Sequence, residues 1–189
     1  MPNGPACCRV QASDGRYGTG MSAVADVSYR WFEAPVRQDL EVTQVYGYLI
    51  CPSTGRVLIQ DDEGVFNLPG GTPEAWDSDM PATLAREAME ESQVRIDDAV
   101  YLGFQEVRRP GRAPYAQVRM AARISGFEPR RPDPDGGRTY RRLLCPLAGA
   151  ADVLGWGEPA VAQARAAGRV AAGRWNIGID ATVGVTYVD

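Results

Sequence analysis

The sequence predicts a single α/β (α+β) domain in which a mixed set of β-strands packs with two main helices. Three observations lead to this prediction: short apolar runs between turn residues, a helix rich in Glu, and a late Ala-rich amphipathic segment. At 189 residues, with 44% hydrophobic and 23% charged residues, the chain has the size and composition of one well-packed domain. We assign residues 25–189 to this domain. Residues 1–24, rich in Gly, Ala and Ser, are predicted to form a flexible N-terminal tail.

Apolar runs bounded by Gly, Pro and Asp mark the strands. They form two hairpins, one turning at 51–55 and one at 108–112, with shorter strands after each. The predicted strands cover residues 45–50, 56–60, 65–68, 99–107, 115–124 and 140–146. The strand at 115–124 alternates: Val118, Met120, Ala122 and Ile124 face one way, and Gln117, Arg119 and Arg123 face the other. The loop 127–137 is too polar to belong to the core.

Two segments have the pattern of helices. The first covers 81–92, where Ser78 or Asp79 can cap the start and Pro81 is tolerated in the first turn. Its side facing the sheet is predicted to consist of Ala85, Ala88, Met89 and Ser92. The second helix is the Ala-rich amphipathic segment 158–172.

The composition excludes several kinds of chemistry. The chain contains no His, and all 20 of its basic residues are Arg, so Ser-His-Asp catalysis, His-containing zinc sites and lysine Schiff bases are all excluded. Carboxylates, Arg, Tyr, Cys and metal ions remain. A net charge of −4 argues against binding a nucleic-acid polymer. The Arg- and Ala-rich usage is typical of a bacterial protein from a GC-rich genome.

The cysteines and the hydropathy pattern predict a cytoplasmic protein. Cys7, Cys8, Cys51 and Cys145 form no CxxC pair, and we expect reduced thiols. The N-terminus lacks the pattern of a signal peptide, and no apolar run approaches the roughly 20 residues that span a bilayer. We therefore expect no membrane partner.

The first helix carries three Glu residues on one face. Glu87, Glu90 and Glu91 stand at i, i+3 and i+4, so their carboxylates converge. Two of them lie near the helix C-terminus, where the macrodipole disfavours negative charge by roughly 0.3–1 kcal/mol each. A solvated acidic face is the simpler interpretation of such spacing. The unfavourable placement instead favours a site for Mg²⁺ or Mn²⁺, which prefer oxygen ligands.

These residues resemble the box motif of the Nudix hydrolases, G-x5-E-x7-R-E-U-x-E-E-x-G-U, where U is apolar. Gly71 begins the motif after Leu68-Pro69-Gly70, and the segment from Arg86 to Glu91 matches its core, with Ala88 and Val94 at apolar positions. The match departs from the pattern in two places. Asp77 stands where the family has Glu, with one extra residue before Arg86, and Gln93 stands where the family has Gly.

The resemblance implies an α/β/α sandwich with a mixed β-sheet and a metal-dependent hydrolase. Such an enzyme would cleave the diphosphate of a nucleoside diphosphate linked to another group, with Mg²⁺ or Mn²⁺ as cofactor. Carried over by position, the metal ligands are Glu87, Glu90 and Glu91, and the catalytic residues are Glu87, Glu90 and Arg86. Gly70, Gly71 and Glu74 are the implied substrate-binding residues. Arg86 is expected to orient the carboxylates through ion pairs.

Several assignments stay open at this stage. The general base is Glu87, Glu74 or Asp77, or comes from the later loop as Glu128, Asp133 or Asp135. Clusters of Arg at 108–112, 130–131 and 138–142 are candidate phosphate clamps. Trp31, Phe104, Tyr115 and Trp156 are candidate stacking platforms for a base. The alternatives to a nucleotide hydrolase are a Nudix-like module that binds or senses nucleotides and a hydrolase of a non-nucleotide phosphorylated metabolite. The expected partner is a small phosphorylated molecule, and a homodimer is left open.

Overall fold

The computed structural model describes residues 27–179, 182 and 184–188, which form one nine-stranded mixed sheet with flanking helices. The predicted tail, with Cys7 and Cys8, lies outside the described residues. The strands are β1 (Ser28–Phe32), β2 (Glu41–Ile50), β3 (Arg56–Asp62), β4 (Val65–Asn67), β5 (Gly70–Gly71), β6 (Val94–Arg108), β7 (Tyr115–Phe127), β8 (Arg141–Pro146) and β9 (Thr186–Val188). The helices are α1 (Met80–Ser92), a 3-10 turn (Leu147–Gly149), α2 (Ala150–Leu154) and α3 (Glu158–Trp175).

One parallel pairing lies at the centre of the sheet. The strand order is β1-β6-β7-β2-β3-β8-β9, in which β2 and β7 run parallel and the other neighbours antiparallel. The short β5 pairs with β2, so that Val45 lies opposite Gly71 and Tyr46 opposite Gly70. On the other side of β2, Tyr46 is the neighbour of Arg119 in β7. The Gly-rich loop is therefore attached to the middle of the sheet.

Both faces of the sheet are covered, which confirms the predicted α/β/α sandwich. One apolar core joins α2 and α3 to the face that includes Tyr48 and Ile59, and the other joins α1 to the face that includes Leu49 and Val118. Successive residues of a strand point to opposite faces, so β2 supplies both cores. Among the described residues, no helix is long and apolar enough to cross a bilayer.

The structure confirms both predicted hairpins and both main helices and shifts several of their boundaries. It also adds five elements that were not predicted: β1, β5, the 3-10 turn, α2 and β9. The predicted packing side of α1 is wrong at Ala85, which is exposed, whereas the buried residues are Thr83, Leu84, Ala88 and Ser92. Leu84 offers far more apolar area than Ala85, and the rotation of the helix follows that larger gain in burial.

Candidate active site

Helix α1 begins and ends at residues that fix the position of its acidic face. Asp79 caps the start, where its Oδ1 accepts a hydrogen bond from the Ala82 N–H at 2.8 Å. Gln93 ends the helix in the left-handed conformation, with φ 48° and ψ 49°. Its side chain is buried, donating to the Glu90 carbonyl at 2.8 Å and accepting from the Arg131 N–H at 3.0 Å. The residue that replaces the motif's Gly thus ties α1 to the loop after β7.

Two glycines bring the loop backbone close to β2 and α1. Gly70 has φ 149°, and a Cβ at this residue would lie 2.1 Å from the Val45 carbonyl oxygen. A Cβ on Gly71 would lie 2.3 Å from a carboxylate oxygen of Glu87. Only Gly avoids both collisions, so the backbone approaches the acidic helix as closely as the motif implies.

The substitution Gly70→Ala is expected to destabilise the fold by about 2 kcal/mol or more, because it adds a backbone collision to a conformation that costs roughly 1–3 kcal/mol for non-Gly residues. Urea unfolding measures this loss. The control is Gly168→Ala in the middle of α3, where the new Cβ would lie 3.8 Å from Leu147 in ordinary contact. That variant should be more stable by about 0.5–1 kcal/mol. Equal effects of the two substitutions would contradict the assigned Gly70 conformation.

Arg86 holds three acidic side chains and the loop in one network. Its Nε and Nη2 donate to the two carboxylate oxygens of Asp77 at 3.1 and 3.0 Å. Its Nη1 lies 2.9 Å from both Glu87 Oε1 and Glu90 Oε2, and its Nη2 also donates to the Thr72 carbonyl at 3.0 Å. This guanidinium holds the pKa of Asp77 well below its usual range. The loop with one extra residue therefore still presents a carboxylate to Arg86, and that carboxylate is Asp77.

Glu91 lies outside this network and contacts the Gly-rich loop and β3. Its Oε2 accepts from the Gly70 N–H at 2.9 Å and from Gln60 Nε2 at 2.8 Å. Burial raises the pKa of Glu91 to about 7, and the negative charges of Glu87 and Asp133 add to the shift. Burial therefore disfavours the charged form of Glu91, and within the described residues no basic side chain pairs with it.

The loop after β7 brings further acidic residues towards α1. Burial raises the pKa of Glu87, and the charge of Asp135 contributes to that shift, as the charge of Asp133 does at Glu91. Asp133 also accepts from the backbone N–H groups of 135 and 136, which shapes the turn. Glu128 instead pairs with Arg95 at 2.6 Å. Asp133 and Asp135 are thus close enough to act electrostatically on the acidic face.

The acidic face fits a divalent metal in its chemistry but is not preassembled around one. Within the described part of the chain, no three Asp, Glu or Cys side chains are grouped so as to hold an ion. Glu87 and Glu90 contact the same Arg86 nitrogen, and Glu91 contacts Gly70 and Gln60. The donors are nevertheless the carboxylate oxygens that Mg²⁺ and Mn²⁺ prefer. The pKa values of Glu87 and Glu91 are raised mainly by burial, so a bound cation would stabilise the charged forms of these carboxylates.

Neither a family model nor a curated protein sequence matches this chain. Solved structures do match. They include the Bacillus subtilis pyrophosphohydrolase BsRppH, which is 19% identical, with 55% of this chain and 62% of that chain covered and a TM-score of 0.44. A MutT structure described from Aliivibrio salmonicida and Vibrio cholerae is 17% identical, with 65% and 94% covered and a TM-score of 0.46. A Nudix hydrolase from Nitrosomonas europaea is 16% identical, with 47% and 62% covered and a TM-score of 0.39.

The matched regions cover less than two thirds of the Bacillus and Nitrosomonas chains. At identities below 20% and TM-scores below 0.5, the likeness does not extend to activity. The box residues lie as the motif implies: Gly70 and Gly71 pair with β2, α1 packs against the same sheet, and Arg86 holds the acidic face. The mixed sheet with helices on both faces is consistent with a Nudix-like fold. Its site residues are proposals that rest on the contacts described above.

Several other residues that were candidates for the Nudix-like site have structural partners instead. Phe104 is buried in the core, and Arg109 and Arg112 both lie over the ring of Tyr115. Arg138 pairs with Asp62 and Arg141 with Asp61. Glu74 is exposed, and its backbone N–H donates to Asp77 Oδ2 at 2.9 Å, so the contact it makes towards the site comes from its backbone.

Sequence reasoning did not find the cavity beside the Nudix-like site. It has a volume of about 550 Å³, and among the four aromatic candidates only Trp156 lines it. Arg119 and Tyr46 also line it, and neither belongs to the motif. The strand alternation placed Arg119 on the face opposite Val118, but only the packing of α3 reveals that this face is buried.

Proposed function

We propose that this protein is a Nudix-type, metal-dependent hydrolase that cleaves a phosphoanhydride bond in a nucleoside diphosphate linked to another group. The observation that carries the proposal is the contact of two carboxylates of α1 with consecutive residues of the Gly-rich loop, Glu91 with the Gly70 N–H and Glu87 beside Gly71. Carboxylates beside a loop whose backbone can approach a ligand closely are what a site for a cation and a polyphosphate requires.

Each residue has a proposed role in this site. Glu87, Glu90 and Glu91 would hold Mg²⁺ or Mn²⁺, which when bound neutralises phosphate charge and lowers the pKa of a coordinated water. Glu87 is our candidate for the general base, because its carboxylate lies beside the Gly71 backbone, along which the diphosphate is proposed to run. Asp77 is a poor base, since Arg86 holds its pKa low. Gly70, Gly71 and Glu74 would line the path of the diphosphate.

The reaction is a hydrolysis in which water adds to one phosphorus and the bridging P–O bond breaks. The base takes a proton from the water, and the leaving phosphate departs with the bridging oxygen. Arg86 is a positioning residue, because its guanidinium contacts Asp77, Glu87 and Glu90 and fixes the carboxylates. Release of Glu90 from Arg86 would free a third carboxylate for the cation.

The proposed partner is a small phosphorylated molecule, and neither a nucleic-acid polymer nor a membrane is part of the proposal. We also propose a cytoplasmic location in a bacterial cell, consistent with Cys51 and Cys145, which are free and buried. Whether the protein acts as a homodimer is a question for sedimentation.

The test is hydrolysis of a panel of nucleoside diphosphate derivatives with Mg²⁺, with Mn²⁺ and with chelator, followed by analysis of the phosphate products. We expect turnover only with metal and its loss in Glu90→Gln. The control is Glu41→Gln, which changes an exposed Glu at the start of β2 and should leave turnover intact. If neither metal supports turnover while nucleotides still raise the melting temperature, the protein is a binding module and the proposal is wrong.

A further inference from the structure

The cavity beside the candidate active site has the size and lining of a pocket for a flat ring. Its volume of about 550 Å³ lies within the range of small-molecule sites. The lining combines aromatic side chains, amide groups and one guanidinium, and it includes Tyr46, Phe66, Asn67, Gln117, Arg119 and Trp156. Such a mixture suits a ligand with apolar faces and a polar edge.

Arg119 is the decisive residue of this cavity, because its charge is buried and has no counter-ion. The side chain is 2% exposed, and burial lowers its pKa to about 10. Its Nε donates to Gln163 Oε1 at 3.0 Å and its Nη1 to the Val118 carbonyl at 3.3 Å. Nowhere in the described ranges does a carboxylate pair with it. Burying such a cation is costly unless a further acceptor joins it.

The guanidinium is fixed in place before any ligand arrives. It lies 4.7 Å from the ring centre of Tyr46 and 5.2 Å from that of Trp156. Gln163 is oriented in turn by its own donation to Gln105 Oε1 at 2.8 Å, which keeps its amide oxygen towards Arg119. A planar cation held in this way can read a pair of adjacent acceptors.

The cavity and the acidic helix share a wall. Tyr46 pairs with Gly70, whose N–H binds Glu91, and Asn67 stands at the end of β4, just before the loop that leads to Gly70. A ring in the cavity therefore lies next to the loop along which the diphosphate is proposed to run.

We propose that this cavity binds a 6-oxopurine ring, whose adjacent O6 and N7 acceptors receive hydrogen bonds from Arg119. Adenine presents an N6 donor beside N7, which opposes the guanidinium N–H groups, and uracil presents an N3–H donor between its two carbonyl oxygens. The aromatic lining favours a ring over a bare phosphate. Binding of the ring does not depend on the proposed hydrolase function. The inference rests on that function only where it takes the ring to be part of the substrate.

Binding without metal tests the inference separately from hydrolysis. Titration calorimetry with guanosine, adenosine and uridine 5′-monophosphates should show the guanosine compound binding about tenfold tighter than the others. Trp156 fluorescence should change on binding, and this change should be lost in Trp156→Phe. Equal affinities for the three nucleotides, or complete competition by inorganic phosphate, would overturn the proposal.

Variants localise the preference to Arg119. Arg119→Lys keeps the positive charge but removes the planar group whose N–H donors can bind two acceptors at once, so the preference for guanosine should disappear. The control is Arg123→Lys on the same strand, whose exposed side chain pairs with Asp97, and there the preference should persist. A preference that survives Arg119→Lys would also overturn the inference. The titrations of the wild-type protein already reveal any preference among the three nucleotides. The proposal can therefore be tested even if a variant does not fold.

The two proposals fail in different ways. Guanosine preference without metal-dependent turnover would keep the pocket and reject the hydrolase. Turnover without any preference among nucleotides would keep the hydrolase and reject the assigned ligand of the pocket.

Discussion

The substitution Glu91→Gln is expected to abolish metal-dependent hydrolysis and to make the metal-free protein more stable. Loss of one ligand removes several kcal/mol of charge stabilisation, so turnover should fall by about 100-fold or more. The stability gain has a separate origin. Burial raises the pKa of Glu91 to about 7 from an ordinary 4.5, so the charged form is disfavoured in the folded protein. Gln keeps an oxygen that can accept from Gly70 and Gln60.

The sign of this effect fixes its dependence on pH. A carboxyl whose pKa is raised on folding destabilises the folded state above that pKa. Below the pKa that the carboxyl has in the unfolded state, the group is protonated in both states and this destabilisation disappears. The gain in Glu91→Gln should therefore be about 1–3 kcal/mol near pH 8 and should vanish as the pH falls towards about 4.5.

Urea unfolding at both pH values, with and without Mg²⁺, measures these effects. The wild-type protein should gain stability from Mg²⁺ and Glu91→Gln should gain much less, because a ligand that binds only the folded state stabilises it. The matched control is Glu41→Gln, for which neither effect is expected. A variant less stable than wild type near pH 8, or equal stabilisation of both by Mg²⁺, would show that Glu91 is structural.

The acidic helix could be predicted from the sequence because its information is local. The i, i+3, i+4 spacing of Glu87, Glu90 and Glu91 fixes their relative positions once the segment is helical, and Asp79 fixes where the helix starts. In the sequence, the extra loop residue before Arg86 is a departure from the spacing of the motif. The structure shows the loop arranged so that Asp77 still receives both hydrogen bonds of the guanidinium fork.

The cavity could not be predicted, because its residues come together only through long-range packing. Tyr46 and Arg119 meet through the parallel pairing of β2 with β7, and Gln163 reaches Arg119 from α3. An Arg that alternates with apolar residues on a strand normally suggests a solvated face. Only the tertiary arrangement shows that this face is covered by α3. The assignment of Ala85 was wrong for the same reason, because the side of a helix that is buried also depends on tertiary packing.

The substitution Arg86→Ala is expected to destabilise the protein and to lower its activity. Arg86 is only 18% exposed, and its loss leaves Asp77, Glu87 and Glu90 without their common cation. Hydrogen bonds to charged groups contribute about 1.5–3 kcal/mol each, so the free energy of unfolding should fall by roughly 2–4 kcal/mol. Arg86→Lys should recover part of this, since it restores the charge without the fork.

Arg123→Ala is the matched control, because it also breaks a two-pronged contact with an Asp, Asp97, but the side chains are 41% and 43% exposed. A pair so exposed contributes about 0–1 kcal/mol. A similar loss in both variants would mean that Arg86 acts as an ordinary surface residue and does not hold the site together.

The pH dependence separates the charge of Arg86 from its packing. Arg86 lowers the pKa of Asp77 from an ordinary 3.8, and a lowered pKa stabilises the fold above the unfolded value and is lost as the pH falls below it. The penalty of Arg86→Ala should therefore be largest at neutral pH and shrink as the pH falls below 3.8, when the carboxylates take up protons. Unfolding curves of both proteins across this range give the difference directly. A constant penalty would assign the effect to the lost packing of the Arg86 side chain, and the ion pairs with Asp77, Glu87 and Glu90 would then play no part in positioning the site.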